Sequence, residues 1–292
     1  MIDSRAPDAA AVAPGSDGDR RHRRWWLAGL VIAALLLAGG MLIPVLLAPA
    51  PAPQTVPVAA PTPSTPSAPA SPSVPPAPSA PATTMAAPPD ALRLPGRVPP
   101  RGSGRFAYAP GRGRVLGSKG ELRRFRVAVE RGGNEDPAAF AAQVEATLGD
   151  RRSWIGDGRL RLQRVPGGQP ADFTVYLATR DTAGDMCRRG GTNITIGGRP
   201  HTSCRVTGKV IINLDRWRLS ARPYLEAKVP LSTYRQYVVN HEVGHELGHG
   251  HQGCPRRGGP APVMVQQTLT LRGCVPYAWP RRGDRRFAGP GL

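Results

Sequence analysis

His241-Glu242-Val243-Gly244-His245-Glu246-Leu247-Gly248-His249-Gly250-His251 holds four of the chain's six histidines. Residues four apart on an α-helix lie one above the other on one face, so His241 and His245 can turn imidazole nitrogens toward a single ion. Glu242 then sits one step around the helix, close to such an ion without binding it. A third ligand from the next turn of a straight helix would crowd the ion, so the chain has to turn. Gly248 permits the turn, because glycine adopts the left-handed conformation that ends a helix at almost no steric cost, and His251 can return from another direction. Three neutral imidazoles leave one tetrahedral position open, the arrangement of a catalytic rather than a structural zinc ion.

The spacing H-E-x-x-H-x-x-G-x-x-H resembles the extended zinc signature of the metzincin metalloproteases. The resemblance implies Zn2+ as cofactor, His241, His245 and His251 as ligands, and Glu242 as general base. His249 also follows Gly248 and is left to a supporting or surface contact. A thermolysin-like site would need a distant glutamate, but no Glu follows Glu246, and the only later acidic residue is Asp284, in an arginine-rich tail. Metzincins place a methionine in a tight turn beneath the metal. Met264, within Ala261-Pro262-Val263-Met264-Val265-Gln266, is the only methionine after the histidines. Some metzincins carry a tyrosine two residues further on, where this chain has Gln266.

The region before the motif indicates where the site resides. Arg20, Arg21, Arg23 and Arg24 form a basic tail (1–24) ahead of an apolar run from Trp25 to about Ala48. The run is long enough to cross a bilayer as one helix, with the N-terminus cytoplasmic and everything after it extracytoplasmic. A cleaved signal peptide, giving a secreted protein, is the alternative, since Ala48-Pro49-Ala50 has the small residues of a cleavage site. Residues 49–100 are Pro, Ala, Ser and Thr with little else, a composition that cannot bury a core and reads as a disordered linker. At about 3.1 Å per residue, such a linker reaches on the order of 150 Å.

All four cysteines follow the linker and none forms a C-x-x-C pair, which fits disulfides in an exported domain. Neighbours in sequence suggest Cys187 with Cys204 and Cys254 with Cys274, although four cysteines allow three pairings.

Residues 101–292 suffice for one domain with its own core. Phe125, Val127 and Val129 alternate with Arg124, Arg126 and Glu130 as a half-buried strand. Asp136 and Pro137 then start a helix with Phe140, Val144 and Leu148 on one stripe and Gly149 at its end. Strands are expected at Leu160 to Val165, Phe173 to Ala178 and Val210 to Asn213, and the histidine helix is expected to begin near Ser232 or Thr233. With the resemblance, the expected class is α+β. It comprises a mixed sheet with a backing helix and an active-site helix, then a small irregular C-terminal subdomain carrying Met264. Tyr237-Val238-Val239-Asn240 and Pro262-Val263-Met264 also resemble an uncharacterised, membrane-anchored metzincin-like family of high-GC Gram-positive bacteria, which implies fold and topology but no substrate.

The net charge of +19 and pI near 11.3 do not point to nucleic acid. Arginine outnumbers lysine alongside abundant Ala, Gly and Pro, as GC-rich coding bias produces, and the basic residues are not interleaved with stacking aromatics. Attraction to anionic envelope polymers is the partner class the charge does allow. The expected activity is hydrolysis of peptide bonds in a protein or peptide substrate at the cell envelope. A non-peptidase zinc hydrolase of envelope material and a catalytically silent envelope-binding module are the alternatives.

Overall fold

Strand β3 (Glu121–Glu130) is the spine of a seven-stranded mixed sheet in a computed structural model that describes residues 88–292. Along its first half β3 pairs in parallel with β4 (Leu160–Arg164). Along its second half it pairs in parallel with β5 (Phe173–Ala178) on the other side, and β5 pairs in parallel with β9 (Lys209–Asn213). Antiparallel strands β2 (Val115–Leu116) and β8 (Cys204–Val206) close the two edges, and β1 (Phe106–Tyr108) runs antiparallel along the end of β3. The sheet is therefore mixed, as expected, with a parallel centre.

A parallel centre requires crossovers; helices provide them after β3 and after β5, while residues 165–172 join β4 to β5 without a helix. Helix α1 (Pro137–Leu148) joins β3 to β4. Asp136 caps it by accepting from the Ala139 N–H at 2.7 Å, Pro137 occupies the first turn, and Phe140, Val144 and Leu148 are buried. Helix α2 (Arg180–Arg189) follows β5, while α3 (Leu214–Leu219) and α4 (Arg222–Glu226) lead into the long helix α5 (Leu231–Glu246). Two short hairpins, β6 (Thr195–Ile196) with β7 (Arg199–Pro200) and β10 (Arg281–Arg282) with β11 (Arg285–Arg286), complete the elements. After α5 the chain is largely irregular.

Strand β3 departs from the half-buried expectation over its second half, where Phe125, Val127, Ala128, Val129 and Glu130 are all buried. The Glu130 carboxylate is accommodated because it accepts from the N–H of Gly104 and of Thr179 and from the hydroxyls of Thr179 and Thr182, each at 2.8 Å. Residues 91–100, read from composition as the end of the linker, lie along the domain. The Leu94 N–H bonds the Arg218 carbonyl, the Asp181 N–H bonds the Pro100 carbonyl, and Leu94 and Val98 pack on the core. The Ala91 carbonyl also accepts the Leu231 N–H at 2.8 Å, satisfying one of the free donors at the start of α5.

Among the described residues no helix is long and apolar enough to cross a membrane. The basic tail, the apolar run from Trp25 and most of the linker lie outside the described residues.

Candidate metal centre

Helix α5 carries His241, Glu242 and His245 on its last turns, and its end is built to release the chain. Gly248 has φ +89°, its N–H bonds the His245 carbonyl at 3.1 Å, and the His249 N–H bonds the Gly244 carbonyl at 2.9 Å. This is the paired hydrogen-bond closure that follows a left-handed residue at a helix end. The turn brings His251 back beside the helix. The rings of His245 and His251 stand 4.6 Å apart, and those of His241 and His251 stand 5.5 Å apart.

The three histidines converge, with one ligand nitrogen of each within 4.8 Å of the others, and the group could hold a metal ion. The hydrogen bonds decide which nitrogens face inward. A carbonyl can only accept, so His241 Nδ1 donates to the Val263 carbonyl at 2.8 Å and His245 Nδ1 donates to the His249 carbonyl at 2.8 Å. Both Nε2 atoms are then bare lone pairs. The His245 and His251 Nε2 atoms lie 3.1 Å apart, close to the roughly 3.3 Å expected between nitrogens sharing a tetrahedral zinc ion. Protonation is a poor substitute for a metal here. Burial, followed by the charge of His245, lowers the pKa of His241 to about 3, and burial with the neighbouring His251 lowers that of His245 to about 4. The donor set therefore fits a borderline-soft divalent cation.

Glu242 is 5 % exposed, and its residue lines the same cleft as the three histidines. Burial raises its carboxyl pKa to about 8. The cleft, about 400 Å³, is lined by Asn193 and Ile194 just before the β6–β7 hairpin, by Arg205 of β8, and by Gln266, Thr268 and Leu269.

Met264 lies beneath the site, fully buried. A Cβ at Gly244 would stand 2.6 Å from the Met264 sulfur and 2.6 Å from Trp154 Cζ2, so the glycine is what lets both side chains reach the helix. The Met264 carbonyl accepts the Gln252 N–H at 3.0 Å, one residue after the third histidine. The segment 263–264 thus holds His241 by one carbonyl and the chain beside His251 by the next.

Four buried residues whose positioning roles are invisible in the motif keep this arrangement in place. Gln267 accepts from the Tyr224 hydroxyl (2.8 Å) and the Tyr277 N–H (3.1 Å), and it donates to the carbonyls of Pro262 (3.1 Å) and Tyr277 (2.8 Å). Tyr237 donates to the Val265 carbonyl and accepts the Gln267 N–H. Asn240 accepts from the Ser153 hydroxyl and donates to the Ala278 carbonyl. Only Tyr237 and Asn240 fall in a segment that the sequence singled out, and nothing local marks Gln267 or Tyr224.

The disulfides are Cys187–Cys204 and Cys254–Cys274, the pairing of sequence neighbours. The first ties α2 to β8 at the cleft wall, and the second closes the segment from beside His251 past Met264. His249 stands apart from the three converging rings. Its ring stacks on Trp154 at 4.5 Å, and only its carbonyl serves the site. His201 is not among the converging histidines; its backbone N–H bonds the carbonyl of Ile194, which lines the cleft.

No curated protein and no solved structure matches the chain. Residues 93–277, more than half the chain and including every residue of the histidine cluster, match a family described as a protein of unknown function, DUF3152. The chain belongs to the DUF3152 family.

Proposed function

We propose that this protein is a zinc-dependent metallopeptidase of metzincin-like architecture that hydrolyses peptide bonds at the cell envelope. The observation that carries the reading is the convergence of three neutral imidazoles on one point beside a buried carboxylate, at the floor of a cleft large enough for a peptide side chain. The mixed sheet, the helix ended at Gly248 and the methionine below the histidines agree with the resemblance carried by the motif. Two disulfides favour an oxidising, extracytoplasmic location, consistent with the apolar run from Trp25 acting as an anchor.

His241, His245 and His251 would hold the zinc ion through Nε2. When bound, the ion supplies a Lewis acid for water and for a carbonyl, and a positive charge that opposes the rise in the Glu242 pKa. Glu242 accepts a proton from the attacking water at a carboxylate oxygen and returns it to the leaving amine nitrogen as the C–N bond breaks. Val263 and His249 keep the two helix imidazoles in the tautomer that leaves Nε2 free.

The test is to offer the zinc-loaded full chain a peptide library and, separately, purified envelope polysaccharide, with products identified by mass spectrometry. Peptide cleavage that stops on chelation and returns with zinc supports the proposal. Cleavage confined to the polysaccharide would transfer the site to a non-peptidase hydrolase, and product from neither would leave a binding module.

A further inference from the structure

The arginine-rich stretch Arg281-Arg282-Gly283-Asp284-Arg285-Arg286 has no part in the metal site, yet it folds with definite geometry. It forms the hairpin β10–β11, in which Arg281 is the direct cross-strand partner of Arg286, so both side chains leave the same face. That face covers a second pocket of about 280 Å³, separate from the histidine cleft, with Trp154 and His249 in its wall and Arg123 and Arg159 contributed by β3 and the turn before β4.

Three features give this pocket the character of an anion site. Arg281 is only 8 % exposed and has no ion pair among the described residues. Its guanidinium donates to the Asp284 carbonyl, while its Nε is sealed beside Gly156, so the charge that Arg281 brings to the pocket is not balanced by any carboxylate. A half-sequestered guanidinium without a carboxylate partner favours a counter-charge close by. Arg286 donates to His249 Nδ1 at 3.0 Å, which leaves the proton of that imidazole on Nε2 as a further donor. The two carboxylates in the wall are already engaged: Glu121 pairs with Arg123 at 3.0 Å, and Asp157 accepts the Arg159 N–H at 3.0 Å. Four guanidinium groups against two carboxylates leave a double positive excess around a small, half-open pocket.

We infer that this pocket binds a phosphate dianion, either free phosphate or the phosphoryl group of a monoester. Guanidinium groups match phosphate oxygens in charge and in fork geometry, and the double excess suits a dianion better than a carboxylate. The inference does not depend on the histidine site being catalytic.

The experiment is calorimetric titration of the full chain in detergent at low salt with inorganic phosphate, glycerol phosphate and acetate at matched ionic strength. Arg159 and Arg286 are exposed at the rim, so the Arg159→Gln/Arg286→Gln double variant keeps its fold even if Arg281 variants do not. The expected result is binding of phosphate or its monoester but not acetate, weakened about tenfold or more in the double variant and unchanged after metal removal. Binding of the monoester alone would identify an esterified ligand, and equal binding of both would identify the phosphoryl group as the whole determinant. Equal affinity for acetate, an unaffected double variant, or loss of binding on metal removal would overturn the inference, the last by placing the anion at the histidines.

Discussion

The Nδ1 of His241 donates to the carbonyl of Val263 at 2.8 Å, which ties the first histidine of the helix to the residue immediately before Met264. The two lie twenty-two positions apart in sequence, and the bond fixes the face that the imidazole turns toward the cleft. Met264 then supports the helix from below through the gap left by Gly244. The candidate metal centre is therefore a joint property of α5 and the irregular C-terminal segment.

Gly244 tests that joint. Gly244→Ala puts a methyl group 2.6 Å from both the Met264 sulfur and the Trp154 ring, and the indole edge has little freedom to move. Overpacking of this kind costs about 1–3 kcal/mol. A lower thermal midpoint with weaker zinc retention is expected in calorimetry and chelator competition, and an unchanged midpoint would show that the contact is dispensable.

Gln267 is 0 % exposed and makes four side-chain hydrogen bonds, three to the segments on either side of Met264 and one to the Tyr224 hydroxyl. Gln267→Met keeps the length of the side chain and strands two carbonyls, a hydroxyl and an N–H. The expected loss is about 2–4 kcal/mol in urea denaturation, because buried groups left unmet carry their desolvation cost.

The disulfides should separate stability from metal affinity. Their sequence separations are 17 and 20, so replacing either pair by serines is expected to cost a similar amount, about 3 kcal/mol. Only Cys254–Cys274 closes the segment from beside His251 past Met264. Its loss is expected to raise the zinc dissociation constant clearly more than loss of Cys187–Cys204, as read by competition with a chromophoric chelator.

The buried carboxyl of Glu242 predicts a pH dependence in the metal-free protein. Its folded pKa is raised from 4.5 to about 8 by burial, so its contribution to stability is fully present below about 4.5 and is lost as pH rises through about 8. Glu242→Gln removes this term. The depressed histidines, which weaken the metal-free protein on acidification, are common to both proteins and cancel in the comparison. With chelator present, the variant should match the parent near pH 4.5 and exceed its thermal midpoint increasingly up to pH 8. A difference that does not change with pH would contradict the buried, protonated carboxyl.

The residues that could be read directly from sequence are those whose chemistry depends on local spacing. His241, His245 and Gly248 follow from helical periodicity, and α1 from its cap and its apolar stripe. Helix α2 escaped because its buried face is made of Thr182, Ala183, Gly184 and Cys187, too small to form a hydrophobic stripe. Gly184 is small for a reason, since a Cβ there would meet Pro200 at 2.4 Å. Helix α5 begins at Leu231, slightly before the expected start, and the carbonyl that receives its first N–H comes from Ala91, in a stretch whose composition reads as linker. Asn240 acts through Ser153 and Ala278, and Gln267 joins Tyr224 to the turns around Pro262 and Tyr277, pairings that no helical or strand periodicity marks.

The proposed division of labour is that Glu242 moves the proton while the three histidines hold the metal. It is tested most directly by measuring kcat/KM on a cleaved peptide for the zinc-loaded parent and for Glu242→Gln, with metal content determined on the same samples. One zinc ion per chain is expected in both, with a loss of at least about a hundredfold in the variant, the lower end of what a general base contributes. Equal turnover at equal zinc content would contradict it.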